Sequence, residues 1–160
     1  MGYALKFDRP SEDLGFTEFI DSRALDEADM SNVVALLNHD SNYVLGRTGK
    51  NLELEVDEIG LRFKLELTET SYARDLLENM KNGLIDKCSF AFTVDEEDWT
   101  ERDGKYERVI RKINKLYDVS VVTTPAYNDT EAVLSARTKD KAHEAIEREL
   151  LIMEMERNYK

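Results

Sequence analysis

The chain has 160 residues, 41% of them hydrophobic and 35% charged, with a formal net charge of −12. That length suits one domain with a short appendage, and a domain of this size buries roughly 70% of the surface its unfolded chain exposes. The acidic balance excludes tight nonspecific binding to nucleic acid, which needs Lys and Arg to displace counterions from phosphates. A single cysteine, Cys88, excludes an intrachain disulfide. The histidines are His39 and His143, and neither has a second Cys or His at ligand spacing, so neither a metal nor another cofactor is expected. No run approaches the ~20 apolar residues of a membrane span. The start, Met1-Gly2-Tyr3-Ala4-Leu5-Lys6-Phe7-Asp8, lacks a signal-peptide layout. The chain is therefore expected to act in the cytosol, away from membranes, or inside an assembly formed there.

In chain order, residues 3–7 and 16–20 are short strand candidates, separated by the turn-like Arg9-Pro10-Ser11-Glu12-Asp13. Val33-Val34-Ala35-Leu36-Leu37 is a continuous apolar run of strand length, the pattern of a strand buried on both faces. It stops at Asn38-His39-Asp40-Ser41-Asn42. A hairpin follows: Leu52, Leu54 and Val56 alternate with Glu53 and Glu55. After a turn, Leu61, Phe63, Leu65 and Leu67 alternate with Arg62, Lys64 and Glu66. Gly60 is expected to supply the positive φ of that turn.

The period then changes. Tyr72, Ala73, Leu76, Leu77 and Met80 predict an amphipathic helix over 70–81, with Thr68 or Thr70 near its N-cap and Asn82-Gly83 at its end. Strands resume over 87–94, 106–113 and 116–123, and the polar 95–105 segment reads as a loop or a long hairpin tip. Residues 139–160 hold no Gly or Pro, and Ala142, Ile146, Leu150 and Met153 recur at helical spacing. The Glu144–Arg148 and Glu156–Lys160 pairs support a helix there. The expected division is a domain over 1–136 and a helical C-terminal extension over 137–160. The fold class is α+β, mainly an antiparallel β-barrel with flanking helices.

Three strands carry candidate chemistry. On the 87–94 strand, Cys88, Phe90, Phe92 and Val94 share an apolar face, and Lys87, Ser89, Ala91 and Thr93 share the other. Burial of Cys88 makes its thiol an inert nucleophile. Ser89 reads on these residues alone as a solvent-facing strand serine. His39, at the mouth of a buried strand, can serve as a general base or simply as a turn histidine. His143 reads as a surface residue of the charged tail. Asp118 stands amid an apolar strand and shares a face with Ser120 and Val122. A buried carboxylate needs a partner: either an imidazolium, as in a triad, or a guanidinium such as Arg108 or Arg111. The order His, Ser, Asp matches none of the three familiar serine-hydrolase orders, and the Gly-x-Ser-x-Gly elbow is absent.

An ordered set of segments resembles the tailed-phage (caudovirus) prohead protease family, whose fold is similar to that of the herpesvirus assembly proteases. It runs from Gly2-Tyr3-Ala4 through Phe16-Thr17-Glu18-Phe19-Ile20 to Val34-Ala35-Leu36-Leu37-Asn38-His39-Asp40 and Leu45-Gly46-Arg47-Thr48. It continues through Leu52-Glu53-Leu54, Gly60-Leu61, Ser89-Phe90-Ala91-Phe92 and Trp99 to Asp118-Val119-Ser120-Val121-Val122-Thr123-Thr124-Pro125-Ala126-Tyr127. Cys88 and Ala91 depart mildly from the pattern, Ala91 standing where relatives frequently have Gly.

The resemblance implies that His39 and Ser89 occupy the catalytic His and Ser positions, with Asp118 as third member and Ser120 as the fallback. It implies a serine endopeptidase that cleaves the scaffolding segment of the major capsid protein, and itself, inside the procapsid in the host cytoplasm. The capsid protein and its scaffold are then the partners, with self-association allowed. The tail would be a scaffold-binding or self-cleaved extension. Two other readings compete: a non-catalytic scaffold-binding module of the same fold, and a cysteine hydrolase pairing Cys88 with His39.

Overall fold

A computed structural model describes residues 1–132. The helix expected over 139–160, the extension it belongs to, and His143 lie outside the described residues. Strands β1 (Gly2–Lys6), β5 (Leu52–Val56), β6 (Gly60–Leu65) and β9 (Glu131–Ala132) form a four-stranded sheet in the order β5-β6-β1-β9. A five-stranded sheet is built on β8 (Lys105–Val122). One edge of β8 pairs antiparallel with β7 (Lys87–Arg102). The other edge pairs in parallel, first with β2 (Thr17–Ile20) and then with β3 (Val34–Leu37). Strand β4 (Asp40–Arg47) lies outside β3. Leu5, Ile20, Leu45, Leu61, Leu76, Ile110, Ile113 and Leu116 fill the core between the sheets and the helix α1 (Ser71–Lys81).

The β-rich α+β reading holds in part: among the described residues there is one short helix, α1, where flanking helices are expected, and the barrel is not formed. The sheets are not closed into one. The reason lies at the places where their edges meet, where side chains stand in for a ladder. Where the end of β4 meets the open end of the β5–β6 hairpin, the Asn51 amide donates to the carbonyls of Leu45 (3.0 Å) and Glu66 (2.8 Å), and its Oδ1 accepts the Arg47 N–H (3.1 Å). Between β7 and β9, the Thr130 hydroxyl does the same for Cys88. Each carboxamide or hydroxyl satisfies backbone groups that a neighbouring strand would otherwise take, so the edges meet without extended pairing.

Local signals are met with two corrections. Helix α1 begins after Thr70 and ends in a Schellman motif: Gly83 (φ +70°) donates to Met80 O at 3.0 Å and Leu84 donates to Asn79 O at 2.8 Å. Gly60, however, has no positive φ. It opens β6, and a Cβ there would collide with the Leu5 carbonyl, so close approach of β1 is what requires glycine. The turn before it is organised by Asp57 Oδ1, which accepts the N–H of Ile59 (2.8 Å) and Gly60 (3.0 Å). The second correction is β4. The polar run at 38–42 is a two-residue turn with Leu37 paired to Asp40, and a strand resumes at once. Of the two forms expected for the 95–105 segment, the long hairpin tip is the one found, with β7 and β8 running on to a turn at Asp103-Gly104.

Candidate active site

Three elements bring the chemistry-bearing residues together. In the middle of β8, Asp118 and Ser120 project from the same face. Across the ladder, Ser89 on β7 stands directly opposite Ser120, and Ala91 stands opposite Asp118. Directly opposed residues of an antiparallel pair point to the same side, with Cβ atoms ~5 Å apart and diagonal neighbours ~7–8 Å apart. Ser89 is therefore the cross-strand partner of Ser120 and the diagonal neighbour of Asp118. On the far edge of β8, β3 ends level with Ser120 and Val121, and the turn that follows carries His39 back over the sheet.

That turn has a specific geometry. Asn38 (φ +52°) and His39 (φ +57°) both adopt left-handed backbone between Leu37 and Asp40, as a type I′ hairpin turn requires. Asn suits the first central position; Gly is favoured at the second, where this chain has histidine. The turn is held down by Asn38. Its N–H donates to Val121 O (2.9 Å), and its Oδ1 accepts the Thr123 N–H (3.0 Å).

A closed circuit of hydrogen bonds results. His39 Nδ1 lies 2.7 Å from Asp118 Oδ1; the Ser120 hydroxyl donates to the same oxygen at 2.7 Å; and the His39 backbone N–H donates to Ser120 Oγ at 3.2 Å. With Asp118 ionised, only the ring can supply the proton of the first bond, so Nδ1 carries hydrogen and Nε2 is left as the basic nitrogen. Among the described residues the ring bonds through Nδ1 alone. Its side chain is 38% exposed, against 12% for Asp118. A base open to incoming substrate and an acid shielded behind it is the arrangement that proton abstraction needs.

The alternative partners of Asp118 are occupied elsewhere. Arg108 Nη1 donates to the buried Glu18 (2.9 Å), and its Nε donates to Glu97 (2.6 Å). Arg111 bonds Asp98 and Asp21, each at 2.7 Å. The choice left open between imidazole and guanidinium thus falls to His39.

Ser89 is not solvent-facing, as its polar neighbours suggest, but 9% exposed. The reason is that this face of the sheet is itself partly covered. Ser120 beside it is fully buried, and the His39 turn folds across Asp118 and Ser120. Cys88, on the opposite face, is fully buried in the core. Among the described residues no cluster of His, Cys, Asp and Glu could hold a metal ion, and no helix is long and apolar enough to cross a membrane.

The family model for the caudovirus prohead serine protease matches residues 1–145. No curated protein and no solved structure matches the chain.

Proposed function

Because the chain belongs to the caudovirus prohead serine protease family, we propose that it is a serine endopeptidase in which Ser89 is the nucleophile, His39 its general base and Asp118 the acid behind the base. The observation that carries this reading is the 2.7 Å bond from His39 Nδ1 to Asp118, on the sheet face that Ser89 shares. Ser89 Oγ attacks the scissile carbonyl carbon as its proton passes to His39 Nε2. The imidazolium formed is stabilised by the carboxylate already bonded to Nδ1. It then protonates the leaving amine as the tetrahedral intermediate collapses to an acyl-enzyme. Water, deprotonated by the same nitrogen, releases the new carboxylate and regenerates the serine.

The family's role is prohead proteolysis during capsid maturation of tailed phages. The specific substrates we assign are the scaffolding segment of the major capsid protein and the protease's own chain. Cleavage takes place inside the procapsid, assembled in the host cytoplasm, and removes scaffold before DNA enters. The test is co-expression with the major capsid protein of the same phage, followed by intact-mass measurement of that protein. The wild-type chain shortens it and Ser89→Ala leaves it full length. A capsid protein of equal mass in both would reduce the chain to a scaffold-binding role.

A further inference from the structure

The Thr130 hydroxyl has three hydrogen-bonding neighbours, one donor and two carbonyls that share its single proton, in a site that is 1% exposed. It accepts the Cys88 N–H (3.2 Å) and lies within donor distance of the Cys88 carbonyl (2.6 Å) and the Tyr127 carbonyl (2.9 Å). One hydroxyl thus grips both backbone groups of the residue that precedes Ser89. Two residues on, the Ala132 N–H donates to Asp86 O at 2.9 Å. The segment entering β9 therefore lies along the edge of β7 opposite β8, at the level of the nucleophile.

We propose that Thr130 is a positioning residue for the Ser89 nucleophile. This rests on the hydrolase reading above. Ser89 is fixed on one side by its pairing with Ser120. On the other side, the peptide plane joining Cys88 to Ser89 is fixed by the Cys88 carbonyl held at Thr130. Rotation of that plane would swing the Ser89 Cα–Cβ bond, and with it the hydroxyl, relative to the imidazole. A displacement of ~1 Å between reacting groups can cost about 100-fold in rate. The threonine methyl is not needed for this; the hydroxyl is.

The experiment uses the full chain and a biotinylated fluorophosphonate, which phosphonylates an activated serine with loss of fluoride. Site-specific labelling of wild type at Ser89, absent in Ser89→Ala, tests the hydrolase reading separately; if wild type is not labelled there, that reading fails first. With labelling established, Thr130→Val should lower the maximal labelling rate roughly tenfold or more while the half-saturating probe concentration stays within about twofold. Thr130→Ser should retain the wild-type rate. Circular dichroism and thermal melts define a working temperature at which each variant is fully folded. Should the valine variant fail to fold, Thr130→Ala, which leaves room for water beside Cys88, takes its place with the same expectation. A valine or alanine variant that labels at the wild-type rate overturns the proposal. So does a folded Thr130→Ser that labels at a tenth of that rate, because the hydroxyl would then not be what matters.

Discussion

His39 meets Asp118 across 2.7 Å although 79 positions separate them in the chain. The contact exists because β3 and β8 run in parallel, which delivers the end of β3 to the level at which Asp118 and Ser120 emerge from β8. The carboxylate decides which ring nitrogen is protonated. Asp118→Asn offers an amide that can donate to Nδ1 and so favours the tautomer with hydrogen on Nε2, which cannot take the serine's proton. We expect kcat for capsid-protein cleavage to fall about 10⁴-fold with the fold intact. A loss under tenfold would move the acid's role to another residue.

The left-handed turn gives a test of strain. His39 holds φ +57°, a conformation that costs a residue with a Cβ ~1–2 kcal/mol and glycine far less. His39→Gly and His39→Ala both remove the base and should both be inactive. The glycine variant should nevertheless be the more stable of the two by about 1 kcal/mol in urea unfolding. Equal stabilities, or a more stable alanine variant, would show the turn to be relaxed.

Cys88 and Ser89 are neighbours with opposite fates. Cys88→Ala empties a small buried volume and should cost ~1–2 kcal/mol in stability. Once folded, the variant should still be labelled at Ser89 and still cleave. Ser89→Ala should abolish both activities at little cost in stability. The converse pattern would identify a cysteine hydrolase.

Tyr127 links the segment before Thr130 to the buried Glu18, donating to it at 2.7 Å. Burial first, and then this bond to an anion, raise the phenol's pKa far above its usual 10.0. The folded state thus holds the proton more tightly than the unfolded chain does. Its contribution is complete below pH 10 and diminishes as pH rises beyond it, by up to ~1.4 kcal/mol per pH unit. Tyr127→Phe should be less stable than wild type at pH 8, and the gap should narrow between pH 10 and 11.5. Parallel stability curves for the two proteins across that window would contradict the assignment.

Much of this could be read from residues alone, because several elements are encoded locally. The alternation on β5 and β6, the helical spacing from Tyr72 to Met80 and the Asn82-Gly83 stop each depend on neighbours a few positions away. The need of Asp118 for a partner also follows from its apolar surroundings, and the place of His39 at the end of a buried strand makes it a candidate base. What local pattern did not contain was which faces the folded chain covers. Ser89 has polar and small neighbours and so reads as wet, yet it is 9% exposed, on a sheet face where the His39 turn, from fifty residues upstream, bonds the adjacent Ser120 and Asp118. Asp40-Ser41-Asn42 reads as a break because a tight turn and the start of an exposed strand have the same polar composition. Thr130 carries no sequence signal of its role. It follows the polar pair Asn128-Asp129, and its meaning depends wholly on Cys88 lying alongside.

The clamp at Thr130 and the short strand after it have a consequence for processing. A protease that trims its own C-terminus can lose everything beyond Ala132 and keep the hydroxyl that steadies its nucleophile. A scission a few residues earlier would carry that hydroxyl away and leave the strand of Ser89 unbraced. Under the self-processing proposed above, where the cut falls would therefore separate a chain that keeps this brace from one that loses it.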